Sequence, residues 1–276
     1  KGNRSTFEDI LLKNIREATA KLLAKTYKRF GRVVCLLDES SNIEKLKGIL
    51  EKTPGISGFS FCLASSQSID DIKATALALA KSFSFESFRI SAKRSYKGYR
   101  YNSQEIGKIV GEIVFETLKK KVCLKHPDLD INIEVTEKEV FVYSNKDTFA
   151  GIGGLPVSST GTVLCSLSGG IDSPVSGYML NKRGCKVIYV HIQNNSLVTR
   201  EVEGKIFRLC ELLKSYQGKT KLYIVQFSDI QSQLLIAVPA DYRMIIYRRF
   251  MLKILERIAY LENSKGIRID LIIITE

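Results

Sequence analysis

The stretch T-V-L-C-S-L-S-G-G-I-D-S-P-V, Thr162 to Val175, decides how the chain is read. An apolar run gives a strand signal; a glycine pair, serines, one carboxylate and a proline then lead into helical periodicity. Gly169 and Gly170 remove Cβ atoms where a sharp backbone turn is expected, and let an anion approach the N–H groups. Ser173 reads as an N-cap and Pro174 as the first helical residue. Bare amides, hydroxyls and the positive end of a helix together make a phosphate site. The Walker pattern G-x-x-x-x-G-K-[ST] is absent: the lysine is missing and Asp172 sits inside the loop. A carboxylate beside phosphates is repelled unless a cation bridges them, so Asp172 points to a bound Mg2+. An ordinary strand-to-helix turn is the bland alternative. S-G-G alone does not exclude it, but the full string S-G-G-x-D-S between a β run and a helix weighs against it.

Outward from this loop, strands at 162–167, 186–192, 221–227 and 269–275 alternate with helices at 174–183, 200–214 and 242–261. Near-continuous β-branched strands between amphipathic helices mean a doubly wound parallel sheet, whose ligands bind beyond the strands' carboxyl ends. G-I-G-G-L-P at 151–156 breaks all periodicity and bounds this unit, 151–276. A unit from about 64 to 148 is expected to hold a helix at 68–82, a strand at 87–92, a helix from Ser103, and a hairpin at 131–135 and 140–144. The segment 1–57 opens on S-T-F-E, a capping box with Ser5 as N-cap and Glu8 reaching back, and continues with a strand at 32–37, a helix near 42–52 and the turn T-P-G. With a strand at 58–63, helix, strand, helix, strand in about sixty residues describes most of a small α+β sandwich, and a first strand is expected ahead of Lys1.

A 45% apolar and 26% charged composition is that of a globular chain. No apolar run approaches the roughly 20 residues of a membrane span, and the first residues lack a signal-peptide core, so a cytoplasmic protein without membrane attachment is expected. The formal net charge is +13, with 26 basic and 19 acidic residues in 1–150 and 16 and 10 in 151–276. An excess spread over both halves suggests a polyanion, nucleic acid first, against a generally lysine-rich composition. The six cysteines form no C-x-x-C and mostly lie in apolar runs, which suits reduced, buried thiols.

The loop string resembles that of the PP-loop ATP pyrophosphatases, which adenylate a carbonyl oxygen and release pyrophosphate. Within that superfamily, S-G-G-I-D-S-P-V with G-G-L-P-V before it and K-R-G-C-K-V after it resembles the tRNA 4-thiouridine synthetases (tRNA sulfurtransferases, ThiI type). K-G-N-R at the start, H-P-D-L-D-I-N-I-E-V at 126–135 and V-P-A-D-Y-R-M-I-I-Y-R-R-F-M-L-K-I at 238–254 resemble further motifs of that family, in its order. The resemblance implies a ferredoxin-like N-terminal domain at 1–57, a THUMP domain at 58–150, and a PP-loop (adenine nucleotide α-hydrolase-like) domain at 151–276, truncated at its C-terminus.

The implied reaction adenylates C4 of the uridine at position eight of tRNA, with ATP and Mg2+, and replaces oxygen by sulfur. A cysteine desulfurase donates the sulfur as persulfide; a homodimer and a sulfur route to the thiamine thiazole are also implied. By motif, Ser166 and Leu167 line the adenine pocket, and Ser168, Gly169, Gly170, Asp172 and Ser173 surround the phosphates, Asp172 as the catalytic, metal-binding group. His191 and Ile192 match a dipeptide that touches nucleotide, and Arg248 a basic position near ATP. A core histidine at a strand end is the alternative for His191. The sequence departs from the family pattern at 194–196 and 275–276, and the sulfur-accepting cysteine is expected beyond Glu276.

R-I-S-A-K-R-S-Y-K-G-Y-R-Y-N, Arg89 to Asn102, holds five basic residues and three tyrosines without an acid. Basic groups interleaved with aromatics fit phosphate contact plus stacking on RNA. Lys93, Arg94, Lys97 and Arg100 are the expected phosphate contacts; a solvated loop is the alternative. Two other functions stay open on sequence grounds: a noncatalytic THUMP-type RNA-binding protein with a vestigial nucleotide fold, and another PP-loop tRNA-modifying enzyme.

Overall fold

A computed structural model describes residues 3–19, 22–29, 31–38, 40–193 and 200–274, those of 200–202 by backbone only. The chain forms two compact units, one of residues 58–150 and one in which 1–57 and 151–276 pack together.

The first segment runs α1 (Arg4–Ala18), β1 (Lys25–Arg29), β2 (Arg32–Leu36) and α2 (Ile43–Lys52). β1 and β2 are an antiparallel hairpin with Lys25 opposite Leu36, turned through Gly31 at φ +73°. The expected capping box at Ser5 is not formed. α1 starts at Arg4, Asn3 precedes it without a side-chain bond, and Glu8 is held by Arg4 Nε at 2.7 Å. This segment is anchored to residues 152–157 by backbone and side-chain bonds. Gly55 N–H donates to the Gly153 carbonyl (2.9 Å) and Ile152 N–H to that of Glu51 (3.2 Å), while Asn14 Nδ2 donates to the Val157 carbonyl (3.0 Å). T-P-G and G-I-G-G-L-P, two punctuation marks far apart in sequence, are therefore one clasp. Gly55 (φ +99°) has no room for a Cβ, which would meet Pro156 at 2.9 Å.

Residues 58–150 give β3 (Gly58–Ser60), β4 (Leu63–Ser65), α3 (Ile69–Lys81), β5 (Ser87–Arg94), α4 (Ser103–Leu118), β6 (Lys121–Val122), β7 (Leu129–Val135), β8 (Val140–Ser144) and β9 (Thr148–Ala150). The main sheet runs β4-β8-β7-β5-β6, and β3 pairs separately with β9. The single strand expected at 58–63 is thus two short strands serving different sheets. Alternation along β7 and β8 buries Leu129, Ile131, Ile133, Val135, Val140 and Val142 against Ile72, Ala76, Ile106, Val110 and Val114 of α3 and α4. Each such side chain, fully removed from water, contributes about 1.5–3 kcal/mol relative to exposure.

The last segment gives β10 (Thr162–Ser166), α5 (Asp172–Lys182), β11 (Lys186–Gln193), α6 (Arg200–Gln217), β12 (Lys221–Gln226), α7 (Ser228–Ala237), α8 (Ala240–Ser264) and β13 (Leu271–Ile273). Its four strands are all parallel, in the order β12-β11-β10-β13. Successive residues serve opposite faces. Leu164, Ile188, Val190 and Ile192 pack against Phe227, Leu234, Leu255 and Ile258 from the α7–α8 side. Cys165, Val187 and Tyr189 pack with Ile206 and Leu213 of α6. The doubly wound sheet is present as expected, and the strand order reverses beside β10. That is where such sheets leave a crevice at their carboxyl ends.

Candidate active site

The loop from β10 to α5 lies at that reversal. Ser166 ends β10, buried, with Val190 opposite it. The Leu167 amide continues the ladder to the Val190 carbonyl at 2.8 Å, while its side chain is buried in the core on the α6 side. From Ser168 onward the loop is held by one hydroxyl. Ser173 Oγ accepts from Ser168 N–H at 2.8 Å and lies 3.1 Å from Ser168 Oγ, which in turn accepts from Gly170 N–H at 3.3 Å. Ser173 is fully buried in this role.

Two sequence expectations need correcting. Ser173 is not the N-cap: α5 begins at Asp172, and Ile171 precedes it with no side-chain cap bond. Pro174 is the third helical residue rather than the first, still within the turn whose N–H groups have no intrahelical partner. Nor does the turn demand glycine for its dihedrals, since neither Gly169 nor Gly170 is at positive φ. A Cβ at Gly170 would lie 3.4 Å from Ser168 Oγ, an approach that asks little of the neighbour. What the glycines do is leave the amide face uncovered. Among the described residues, the N–H groups of Gly169, Ile171, Asp172 and Ser173 meet no acceptor. Ser173 is fully buried, but the bare donors of Gly169, Ile171 and Asp172, close together at an uncapped helix start and on residues with exposed surface, suit an anion with several oxygens.

Asp172 is exposed on the first turn. No cluster of three or more His, Cys, Asp or Glu that could hold a metal occurs among the described residues. A donor set of one carboxylate fits Mg2+ where phosphate oxygens and water complete the shell, the ordinary arrangement for that ion. His191, half-buried on β11, places Nδ1 2.8 Å from the Leu167 carbonyl. A carbonyl only accepts, so Nδ1 carries the proton and the ring pins the loop's first residue to the next strand. Ile192 is buried on the opposite face with Leu164 and Phe227, so any contact with a nucleotide is left to its backbone. Arg248 and Arg249 are both exposed on α8, whose Tyr247, Phe250 and Met251 meet the core on the face away from α6.

Four of the thiols are held in the protonated, less reactive form. Burial pushes Cys165 up to about 11; Cys62, an exposed residue, is raised to about 11 by local desolvation of its thiol and by Glu139 and Glu134. Burial also raises Cys35 and Cys210. Reactive cysteines are driven the other way.

In the 58–150 unit, β5 runs through Arg94, so Lys93 and Arg94 are strand residues opposite Glu134 and Val135 rather than loop residues. Arg94 Nη1 donates to the Tyr99 carbonyl at 3.3 Å. Tyr99 and Tyr101 pack against the core, and Tyr99 Oη donates to the Gln67 carbonyl at 2.8 Å; Tyr96 is the exposed ring of the three. Lys93, Lys97 and Arg100 are exposed. The departures from the family pattern at 194–196 and 275–276 lie outside the described residues.

A parallel sheet carrying a bare-amide loop at its switch point, in a chain that also holds a mixed-sheet α+β unit, fits a PP-loop-type domain accompanied by a separate α+β domain. Comparison with known proteins agrees along the whole chain. Residues 158–269 match the family described as thiamine biosynthesis protein (ThiI), 66–145 the THUMP domain, and 1–60 the ThiI ferredoxin-like domain. A probable tRNA sulfurtransferase of Thermoanaerobacter pseudethanolicus is 35% identical over 267 residues, covering 96% of this chain and 69% of the relative. One from Brevibacillus brevis is 33% identical over 272 residues, covering 96% and 67%. A solved 4-thiouridine synthetase, in complex with RNA and bound ATP, superposes with a TM-score of 0.86 at 30% identity, over 95% of this chain and 68% of that one. The protein PH1313 from Pyrococcus horikoshii shares the fold, with a TM-score of 0.74 at 24% identity over 91% and 96% of the two chains. The chain belongs to the tRNA sulfurtransferase (ThiI) family.

Proposed function

We propose that this chain is the nucleotide- and RNA-binding part of a tRNA sulfurtransferase that converts the uridine at position eight of tRNA to 4-thiouridine. Its divisions are 1–57, 58–150 and 151–276. ATP is the activating substrate, and the observation that carries the reading is the set of bare amides on Gly169, Ile171 and Asp172 at the uncapped start of α5. Those amides and the Ser168 hydroxyl hold the polyphosphate, the buried Ser173 hydroxyl holding the loop in shape beneath them, with Ser166, Leu167, His191 and Ile192 setting the floor on which adenine rests. Asp172 would hold Mg2+, which when bound neutralises charge on the phosphates. Rigid donors aimed where charge develops lower the barrier without reorganising at the moment of reaction. Arg248 adds a positive charge on the α8 side.

Lys93, Lys97 and Arg100 supply phosphate contacts to tRNA; Arg94 serves through the turn it holds. Sulfur arrives as persulfide from a cysteine desulfurase, and none of the four thiols whose acidity burial suppresses is suited to accept it. The protein works in the cytoplasm as a homodimer and also serves sulfur transfer to the thiamine thiazole. The test is release of AMP and pyrophosphate by the full-length protein with unmodified tRNA and a sulfur donor. Asp172→Ala is expected to cut turnover by roughly a hundredfold or more. Normally thiolated tRNA in a strain lacking the gene refutes the proposal.

A further inference from the structure

We infer that Lys205 supplies the cation that the glycine loop itself lacks, binding the polyphosphate end of ATP and holding the departing pyrophosphate; this rests on the nucleotide reading above. A Cβ placed on Gly169 would have as its nearest neighbours Nζ, Cδ and Cε of Lys205, at 3.7, 3.8 and 3.9 Å. The ammonium therefore stands over the start of the stretch whose amides are bare. The topology puts it there. α6 follows β11 in a parallel sheet, so its first turns lie at the carboxyl edge of the strands, beside the loop. Ile206 and Leu213 anchor α6 in the core that also holds Leu167, which fixes the direction of the neighbouring Lys205. Lys205 is itself exposed, and among the described residues it pairs with no carboxylate.

A lysine suits the task. Its compact ammonium on a flexible stem can follow a phosphate as it moves away. In the adenylation step a bond forms between the accepting carbonyl oxygen and the α-phosphorus. The bond from that phosphorus to the oxygen bridging to the β-phosphate breaks, and the bridging oxygen keeps the electron pair as pyrophosphate leaves. Negative charge grows on the leaving side, where a fixed cation is worth more than in water. In a Walker loop the lysine belongs to the loop; here the loop holds Asp172, and the positive charge comes from a separate helix.

The experiment is calorimetric titration of the full-length protein and its Lys205→Met and Lys205→Arg variants with ATP, AMP, pyrophosphate and unmodified tRNA. Lys205→Met is expected to weaken ATP and pyrophosphate by about tenfold or more while AMP binds as before, and Lys205→Arg to keep most of the affinity. The unchanged AMP affinity shows that the variant is folded, a readout that a merely structural lysine would not split this way. If ATP and pyrophosphate bind the methionine variant as tightly as the parent, or if only tRNA binding falls, the assignment of Lys205 is overturned and the nucleotide reading survives. A parent protein that binds neither ATP nor pyrophosphate overturns both.

Discussion

The connection from β5 to α4 and the connection from β10 to α5 both leave the carboxyl end of a strand paired in parallel and enter a helix, of 16 and 11 residues. In the first, the helix start is closed by the chain itself. Asn102 Oδ1 accepts from the amides of Gln104 and Glu105, both at 2.9 Å, and Glu105 Oε2 accepts from Asn102 N–H at 2.7 Å. In the second, Ile171 offers no acceptor, and the one hydroxyl in reach, Ser173 Oγ, faces back to Ser168. A finished cap leaves a helix start nothing to bind with; an unfinished one keeps its donors for something else. The same local architecture is therefore closed by its own chain in one unit and left open in the other.

The most damaging way to probe this contrast is to finish the unfinished cap. Ile171 is 79% exposed, so Ile171→Asp costs the core nothing. A carboxylate at the bare amides should lower ATP affinity about a hundredfold, while thermal stability is kept or slightly raised. Calorimetry that finds ATP binding intact would mean that the amides are not the cradle.

A smaller effect is expected where the nucleotide unit does satisfy a buried polar group. Glu262 is fully buried and receives Lys221 Nζ at 2.7 Å and the Tyr223 hydroxyl, with Lys265 Nζ at 3.6 Å. Burial works to raise its pKa, but these donors together hold it below the ordinary carboxylate value. The bond to Glu262, with burial, pushes Tyr223 up to about 12. A depressed carboxyl contributes stability above its unfolded value and loses it as pH falls through the folded one. Glu262→Gln should therefore cost about 1–3 kcal/mol near neutral pH, and the difference from the parent should close in acid. Urea melts at a series of pH values measure this.

Opening the finished cap should do less. Asn102→Ala is expected to cost the 58–150 unit about 1 kcal/mol in denaturant unfolding and to leave ATP affinity alone. The smallest effect belongs to Lys97→Ala, a few-fold loss of tRNA affinity with a salt-dependence slope shallower by about one. An unchanged slope would return the turn after β5 to the solvated-loop reading.

The parallel sheet was legible because β10 and β11 are nearly pure β-branched and apolar runs, and the loop was legible because its composition fits little else. β1 was not. K-T-Y-K-R is a hairpin strand with mostly partial exposure, so its burial pattern never shows in hydrophobicity. α7 was also missed: S-D-I-Q-S-Q-L-L-I-A sets Leu234 inward but leaves Ile236 89% exposed, which blurs the period. At the site, the residues within one loop could be read, whereas Lys205 could not. It reaches Gly169 only through the packing of α6, and no local motif marks it. The partial burial of Tyr99 and Tyr101 after β5 could not be read either, since only the fold sets these two rings against the core while Tyr96 stays exposed.

The clasp between T-P-G and G-I-G-G-L-P bears on how the polypeptide emerges from the ribosome. Residues 1–57 cannot complete their contacts until 151–157 have been made, whereas 58–150 carries its own core and both of its ends, Gly58 and Ala150, as neighbours in one small sheet. The middle of the chain can thus mature first, while the opening segment waits for its closing partner, a reversal of the usual vectorial order.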